Sequence, residues 1–451
     1  MNRLWKALCG GEGANATDEI KIVREYFVAI LNGTLPALTA RHWRERLAAT
    51  LALDDLLTIG RKASDVLDVL ARLWKESLLM CDDVKKPVQK GGLRLVRTLG
   101  KLTVRLADPT MTSAADAAKT ISVVLPFFLQ HGVVDSCSTT RALSMLFLLK
   151  VIKVARNLLT PHAPDVVPVL LEYLSALESS DLVYLQQHTD KLKDMTAEDL
   201  ERIRLRIANA GPLAEAMTLS LVRCYKSEEA IAALAPTLAA LVQRGIGLAT
   251  RAMSARVIVR LANNAANLLK PHADRFLRPL SAGLSDRSLT VRKEFGKAIG
   301  QISRLCKRKA VGKLVDRLLN DYTESDPGDI GEATRHAAGV TIYALATAAP
   351  SKMKKKMQYV IPVAFIAKYS NEDPVKAIWA EVWEEITVNT PQGVRLHLSE
   401  TVDKVISVLG AGSYDLRRQG ADALSCVLEV LVSLVGRVGF LVFLFRLHAC
   451  G

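Results

Sequence analysis

Five segments of this 451-residue chain share one pattern, in which apolar residues lead into a proline and a further apolar run follows. They read VVLPFFL, VVPVLLEYL, LAPTLAALV, LRPLSAGL and VIPVAFIA, with prolines Pro126, Pro168, Pro236, Pro279 and Pro362. Successive prolines are 42, 68, 43 and 83 residues apart, which fits one period, one period with an insertion of about 25, one period and two periods. In the double interval KLVDRLL at 313–319 keeps the apolar pattern without proline. A period of about 40 to 47 residues is the length of HEAT and armadillo repeats.

The period predicts an all-α fold, an α-solenoid of about eight to nine antiparallel HEAT-like helix pairs. Half of the residues are apolar and only 5% are aromatic, so Leu, Ala, Val and Ile must fill the space between helices. We expect the prolines and glycines to lie mostly between helices. The predicted organisation is a poorly ordered segment at 1–19, repeats at 20–177, a charged insertion at 178–212, repeats at 213–431 and a divergent apolar tail at 432–451.

A cation recurs after the short polar turn that follows each proline-bearing helix. It is found at Arg141, Arg251, Arg292, Arg335, Lys376 and Arg417. One interpretation is a partner-binding ridge. The other, which we favour because the position recurs whatever else the repeat contains, is a ladder joining each cation to the turn carboxylate of a neighbouring repeat. Ser285 and Asp286 are the expected N-cap residues of one such helix.

Two smaller features also follow the repeats. NLLTPHA at 157–163 returns as NLLKPHA at 267–273, so His162 and His272 are interpreted as residues that pack or cap a helix start rather than as metal ligands. In the insertion, Thr196 with Asp199 or Glu198 predicts a helix start, and Leu200, Ile203, Leu205 and Ile207 can pack. The insertion is either a longer helix hairpin or a contact loop. The tail is either a divergent chain end, which we favour, or a weak membrane-surface anchor.

Motifs for catalysis or cofactor binding are not found in the sequence. The stretch around Gly92 to Thr103 lacks the spacing and the Ser or Thr of a phosphate-binding loop, and no HxxxH, CxxC or GxSxG motif occurs. We therefore expect no catalytic, cofactor-binding or metal-binding residues, no small-molecule substrate and no enzyme activity. Seven scattered cysteines and no secretory signal indicate a reducing compartment, the cytoplasm or the nucleus.

The formal net charge of +14 predicts that the surface attracts acidic partners. Its basic runs are Lys307 to Lys309 and Lys352 with Lys354 to Lys356. We interpret both as solvated helix ends, where cations match the negative C-terminal dipole, rather than as a nuclear-import or nucleic-acid patch. Aromatic residues that could stack on bases do not interleave with these lysines.

From about Val23 to Leu431 the chain resembles the C-terminal half of the proteasome adapter and scaffold family, very large eukaryotic HEAT-repeat proteins. The resemblance is carried by an ordered succession of segments. They include WRERLAATLALDDLL at 43–57, LLTPHAPDVVPVLLEYLSALE at 158–178, RGIGLATRAMSARVIV at 244–259, LRPLSAGLSDRS at 277–288 and AIWAEVWEEI at 377–386.

The resemblance implies a non-enzymatic scaffold that binds the proteasome core and regulatory particles, links or stabilises them, acts in assembly or quality control, and contacts other adaptor or trafficking proteins. It supplies no individual protein-binding residues. The solenoid and the basic surface alone also fit an adaptor for nuclear transport or cytoskeletal partners. Since the repeats lack terminal caps, we expect the isolated chain to fray at its ends or to self-associate.

Overall fold

A computed structural model of the chain describes residues 25–59, 65–174, 196–245, 247–326 and 328–449. All regular secondary structure in these ranges is helical, which confirms the predicted fold class. The chain divides into two compact units, Met1–Glu178 with Arg206–Ala230 and Ser179–Leu205 with Ile231–Gly451. The predicted segment at 1–19 and residues 178–195 of the predicted insertion lie outside the described residues.

The longer helices are numbered in chain order. The first ten are α1 (Phe27–Thr34), α2 (Trp43–Ile59), α3 (Leu70–Cys81), α4 (Lys86–Leu106), α5 (Ala114–Phe127), α6 (Ser138–Ala155), α7 (Ala163–Tyr173), α8 (Ala197–Ala210), α9 (Pro212–Cys224) and α10 (Glu228–Arg244). The next ten are α11 (Leu248–Asn264), α12 (Asp274–Ala282), α13 (Leu289–Ser303), α14 (Arg308–Glu324), α15 (Asp329–Ala348), α16 (Met357–Ala367), α17 (Asp373–Ile386), α18 (Thr390–Leu396), α19 (Leu398–Leu409) and α20 (Tyr414–Ala449).

Each unit is built from two layers of helices. In the first unit, α2, α4, α6 and α9 pack side by side and form a first layer, and α3, α5 and α7 form a second. In the second unit, α11, α13, α15 and α17 form the first layer, and α12, α14, α16 and α19 the second. Because short turns join helices that pack on each other, consecutive helices run antiparallel.

The repeat length is visible in the helix starts of the second unit. Helices α11, α13, α15, α17 and α20 begin at Leu248, Leu289, Asp329, Asp373 and Tyr414, at steps of 41, 40, 44 and 41 residues. These steps confirm the predicted period of 40 to 47 residues. The KLVDRLL segment lies in α14, in the second layer, where the missing proline was expected.

The repeat prolines lie inside helices, as the proline-bearing helices of the repeat pattern predicted. Pro126, Pro168, Pro236, Pro279 and Pro362 are in α5, α7, α10, α12 and α16. A proline within a helix removes one backbone hydrogen bond and pushes against the preceding turn. After Pro126 the helix opens into a π turn at Phe128–Gly132, which accommodates the lost bond.

Two helix starts show how the turns end. Asp286, an expected N-cap, instead accepts a hydrogen bond from the Ser288 amide at 2.9 Å, and Ser288 caps α13 by accepting from the Val291 amide at 3.2 Å. The N-cap prediction for Ser285 and Asp286 is therefore wrong, because the Asp286 turn delays the helix start. The predicted start at Thr196 is confirmed, since the Thr196 hydroxyl accepts from the Asp199 amide at 3.1 Å and that carboxylate accepts from the Thr196 amide at 3.1 Å.

In α8, which follows Thr196, the expected apolar face is only partly buried. Leu200 and Leu205 are buried, whereas Ile207 is exposed. At the other end of the chain, α20 continues through residue 432 as one helix to Ala449, so the predicted tail begins within a helix. None of the helices in the described ranges is long and apolar enough to cross a membrane.

Each unit contains a buried tryptophan whose indole N–H is hydrogen-bonded. Trp74 is fully buried, donates to the Thr103 hydroxyl at 3.0 Å and lies edge-on to Phe128 with ring centroids 4.8 Å apart. Trp379 is fully buried and donates to the Arg335 carbonyl oxygen at 3.1 Å. Buried indole N–H groups need such partners, so these bonds fix how neighbouring helices of the stack meet.

Glycines allow the first-layer helices of the second unit to approach closely. A Cβ atom added at Gly300 of α13 would lie 2.5 Å from the carbonyl oxygen of Ala344 in α15. One added at Gly339 of α15 would lie 2.7 Å from Ile378 Cγ2 in α17. The α13, α15 and α17 backbones are therefore packed at a distance that only glycine permits at these points.

We predict that Gly300→Ala destabilises the second unit by about 1–3 kcal/mol, because the Ala344 backbone has to move. Gly312→Ala is the matched control in α14, where the new Cβ would meet only Lys356 Cε at 3.4 Å. The control should gain up to about 1 kcal/mol from helix propensity. Urea unfolding of both variants measures the difference, and equal midpoints would contradict this account of the packing.

Candidate interaction surface

An arginine at the fourth residue of several first-layer helices binds the turn that precedes its own helix. Arg46, Arg141 and Arg292 each donate from Nη1 to two carbonyl oxygens, six and five residues earlier, at 2.8–3.3 Å. Arg417 at the start of α20 does the same at 2.9 Å to the Ala411 and Gly412 oxygens. Carbonyl oxygens in a turn lack helical partners, so one guanidinium group fixes the chain path between the layers.

Arg46 and two further first-layer arginines, Arg251 and Arg335, also reach the turn of the next repeat. Arg46 Nε donates to Asp83 Oδ2 at 2.6 Å, and Nη2 donates to Oδ1 at 3.1 Å. Arg251 pairs with Asp286. Arg335 pairs with both oxygens of Glu372, one of them at 2.8 Å from Nε. Arg46 and Arg335 bind their carboxylates through two bonds, which fix distance and orientation together, so these two pairs set the register of consecutive repeats.

The predicted ladder is therefore confirmed for Arg251 and Arg335. For Arg141, Arg292 and Arg417, the hydrogen bonds described above go to their own turns, which the sequence analysis did not foresee. Lys376 is exposed, and its side chain makes no hydrogen bond or ion pair among the described residues. The predicted ladder therefore does not extend to this lysine.

Arg46 was missed because the search followed the proline-bearing segments, and none of these precedes α2. A usable signal was present, since Arg46 and Asp83 are 37 residues apart, the same separation as Arg335 and Glu372. The Arg46 hydrogen bonds hold the pKa of the Asp83 carboxyl below its ordinary value. Both partners remain charged at neutral pH.

A second set of ion pairs lies further along the same helices. Arg94 Nη2 of α4 is 2.6 Å from Asp54 Oδ2 of α2, and the Thr98 hydroxyl donates to the other Asp54 oxygen at 2.6 Å. In the second unit, Arg256 of α11 donates to both oxygens of Glu294 of α13, at 3.0 and 2.8 Å. Adjacent first-layer helices are thus joined at their starts and again near their middles.

The two repeated histidines occupy equivalent places. His162 ends the 3-10 turn Arg156–His162 directly before α7, and His272 ends the turn Lys270–His272 just before α12. His162 makes no side-chain capping bond, and burial lowers its pKa. It packs against the helix start rather than capping it. No cluster of three or more His, Cys, Asp or Glu side chains that could hold a metal ion occurs within the described ranges.

The buried thiols are poor nucleophiles. Burial raises the pKa of Cys81 to about 12 and that of Cys224 to about 11, and burial also raises the pKa of Cys306. A thiol with such a pKa is almost wholly protonated at neutral pH, whereas the thiolate is the reactive form. These three cysteines behave as small core residues.

An open groove of about 680 Å³ runs between α13, α15 and α17 on the first layer of the second unit. Its lining is mostly apolar and includes Val340, Ala344 and Ile378, with Lys293 and Lys297 on the α13 side. The groove offers apolar area to another protein without converging catalytic groups.

His336 of α15 forms part of this groove but is buried, and its Nδ1 atom has no hydrogen-bond partner among the described residues. Burial lowers the pKa of His336 to about 4, and the positive charges of Arg292 and Lys293 on α13 add to the shift. The neutral imidazole is therefore the form that fits the packed α13–α15 contact at neutral pH.

Residues 159–323 match the family described as "Proteasome adapter and scaffold protein ECM29, HEAT-repeat domain". The human proteasome adapter and scaffold protein ECM29 is 31% identical over 441 residues, which cover 96% of this chain and 23% of the human protein. The proteasome component ecm29 of Schizosaccharomyces pombe is 23% identical, and the alignment covers 94% of this chain and 24% of that protein. The chain thus spans about a quarter of the length of these relatives.

Two further comparisons also cover more than nine tenths of this chain. The Drosophila melanogaster proteasome-associated protein ECM29 homolog is 24% identical, with 92% of this chain and 23% of that protein covered. Among solved structures, Kap121p bound to Pho4p aligns with 96% of this chain and 46% of its own, at 14% identity and a TM-score of 0.39. That likeness is too low to bear on function.

We predict that Arg335→Met destabilises the second unit by about 2–3 kcal/mol, because Glu372 loses its partner in a largely buried place. Arg317→Met is the matched control, since Arg317 is 61% exposed and lies 3.6 Å from Asp321. The control should change stability by less than about 0.5 kcal/mol. A double-mutant cycle of Arg335→Met with Glu372→Met should return a coupling energy well above that of the Arg317–Asp321 pair. A coupling energy near zero would contradict a stabilising Arg335–Glu372 ion pair.

His336 should make the second unit sensitive to mild acid. The pKa of His336 in the folded protein, about 4, lies below the ordinary histidine value of 6.5, so its contribution to stability is complete above pH 6.5 and is lost as the pH falls towards 4. Between pH 7 and pH 5 the expected loss is about 2 kcal/mol. His336→Gln should remove this part of the pH dependence, measured by urea unfolding at both pH values, while carboxylate titration remains common to both proteins. Identical pH profiles would refute the assignment.

Proposed function

We propose that this chain belongs to the family of proteasome adapter and scaffold proteins to which it is similar, and that it is a non-enzymatic segment that binds the proteasome. The observation that carries the proposal is the similarity to the human protein over 96% of this chain. A stack of helix pairs whose repeats are joined by arginine rungs supplies a long surface with fixed geometry, which is what a scaffold needs.

The finer parts of the proposal follow the same family. The segment links or stabilises core and regulatory particles, contributes to proteasome assembly or quality control, and works in the cytoplasm and nucleus. Contacts with other adaptor or trafficking proteins belong to the same proposal. An adaptor for nuclear transport or cytoskeletal partners is not favoured, because the relatives described above carry proteasome names.

The absence of enzyme activity is supported by the chemistry of the described residues. The buried thiols are protonated, and the largest apolar groove described above has two lysines on one side and no nucleophile paired with a base. Acyl or phosphoryl transfer requires such converging groups. Binding through shape, apolar area and charge is the activity that this surface supports.

We predict that the immobilised chain retains purified proteasome at physiological salt, with the core and the regulatory particle offered separately and together. A designed armadillo repeat protein of similar helical architecture is the control for general adhesion to a solenoid. Full-length human ECM29 is the positive control. If the full-length protein retains proteasome and this chain retains no more than the designed protein, the proposal is wrong for this segment.

A further inference from the structure

The two basic runs of the sequence lie at adjacent turns, together with a lysine from a third turn. The turns precede α12, α14 and α16, the second-layer helices of three consecutive repeats. Their exposed cations, called the basic ridge, are Lys270, Lys307, Arg308, Lys309, Lys354 and Lys355.

Hydrogen bonds join these turns in series. The Lys307 amide donates to Asp274 Oδ1 at 3.0 Å, which ties the second turn to the start of α12. Lys352 Nζ donates to the Cys306 carbonyl oxygen at 2.6 Å, which ties the third turn to the second. The cations of the basic ridge therefore belong to one continuous edge of the second unit, although they come from residues 270 to 355.

The ridge is not neutralised by its surroundings. None of its six side chains forms a hydrogen bond or ion pair within the described residues, and all six are exposed. The sequence contains no Asp or Glu at 303–315 or at 333–371. Lys356, next to the ridge, is instead paired with Asp316 at 2.6 Å. Two carboxylates reach this edge, Asp274 at the start of α12 and Asp316, and they are fewer than the cations, so the ridge carries net positive charge.

The position of these cations on the helices is electrostatically unfavourable. The basic runs lie at solvated helix ends as predicted, but the expected match to C-terminal dipoles is wrong, because Lys307 is the N-cap of α14 and the Lys354–Lys356 turn leads directly into α16. Neither helix has an acidic residue in its first turn. A helix N-terminus carries partial positive charge, so added cations repel it. The arrangement is poor for stability and strongly attractive to anions.

We propose that the basic ridge is a docking site for an acidic segment of a partner polypeptide. Neighbouring helices lie about 8–10 Å apart and an extended chain advances about 3.3 Å per residue, so one repeat corresponds to about three residues. Three turns then match a run of about seven to nine residues rich in Asp and Glu. Charge complementarity of this kind speeds association and selects partners.

A polypeptide matches the ridge better than a nucleic acid does. Five of the six cations are lysines, which act as point charges and lack the guanidinium fork that grips phosphate in two places. The exposed ring nearest the ridge, Tyr359, has Lys356 Nζ 5.3 Å from its centroid, so a base would have to displace that lysine to stack there. This inference goes beyond the proposed function, since it holds whichever protein carries the acidic segment.

The test measures binding of a fluorescein-labelled peptide of twelve glutamates to the whole chain. Fluorescence anisotropy of the peptide is the readout, at about 100 mM salt, where exposed charges are partly screened. The ridge variant carries four substitutions, Lys307→Gln, Arg308→Gln, Lys354→Gln and Lys355→Gln. The matched control removes four exposed cations of the first unit that are unpaired among the described residues, Lys86→Gln, Lys90→Gln, Lys101→Gln and Lys119→Gln.

Both variants lose the same charge, so only the position of the cations differs. We expect the ridge variant to bind the peptide at least about tenfold more weakly and the control less than about threefold more weakly. Equal losses would overturn the proposal, because net charge alone would explain binding. Tighter binding of a 20-base-pair DNA duplex than of the peptide, lost in the ridge variant, would overturn it in favour of a nucleic-acid site. Circular dichroism confirms that both variants stay helical.

Discussion

The guanidinium groups at the starts of the first-layer helices are the interaction on which the rest of the stack depends. Apolar contacts between two helix pairs do not by themselves fix the position of one pair along the other. Arg46 and Arg335 each bind carbonyl oxygens of their own turn and a carboxylate of the next turn. One side chain thereby connects the path of a turn to the register between two repeats.

Close helix packing depends on the same register. Gly300 and Gly339 lie opposite Ala344 and Ile378 only while α13, α15 and α17 keep their relative positions along their axes. A shift by one helical turn would place Arg335 or Tyr343 at the Gly339 contact, which the interior cannot accommodate. The rungs and the glycines therefore restrict the second unit to one arrangement, and its apolar groove is the outer surface of that arrangement.

The helices of the second layer differ from those of the first in their prolines and in the charge of their turns. Its helices contain the repeat prolines, which weaken internal hydrogen bonding, and its turns present cations to solvent at helix N-termini. The partly buried ion pairs and the glycine contacts described above involve the first-layer helices. The edge formed by the second-layer turns keeps an electrostatic character that does not serve folding, which is the basis for assigning it a partner.

The sequence by itself determined the repeat length, the all-helical class and the places of the recurrent arginines, because periodic apolar patterns and turn residues are local properties. The order of its segments also carried the resemblance to the proteasome adapter and scaffold family. It did not reveal that Arg141, Arg292 and Arg417 bind backbone oxygens, since carbonyl groups leave no mark in a sequence. Nor did it reveal the ridge, because only stacking brings Lys270, Lys307 and Lys354 to one edge. Tertiary structure decided those points by joining residues about forty positions apart, a distance that no local pattern spans.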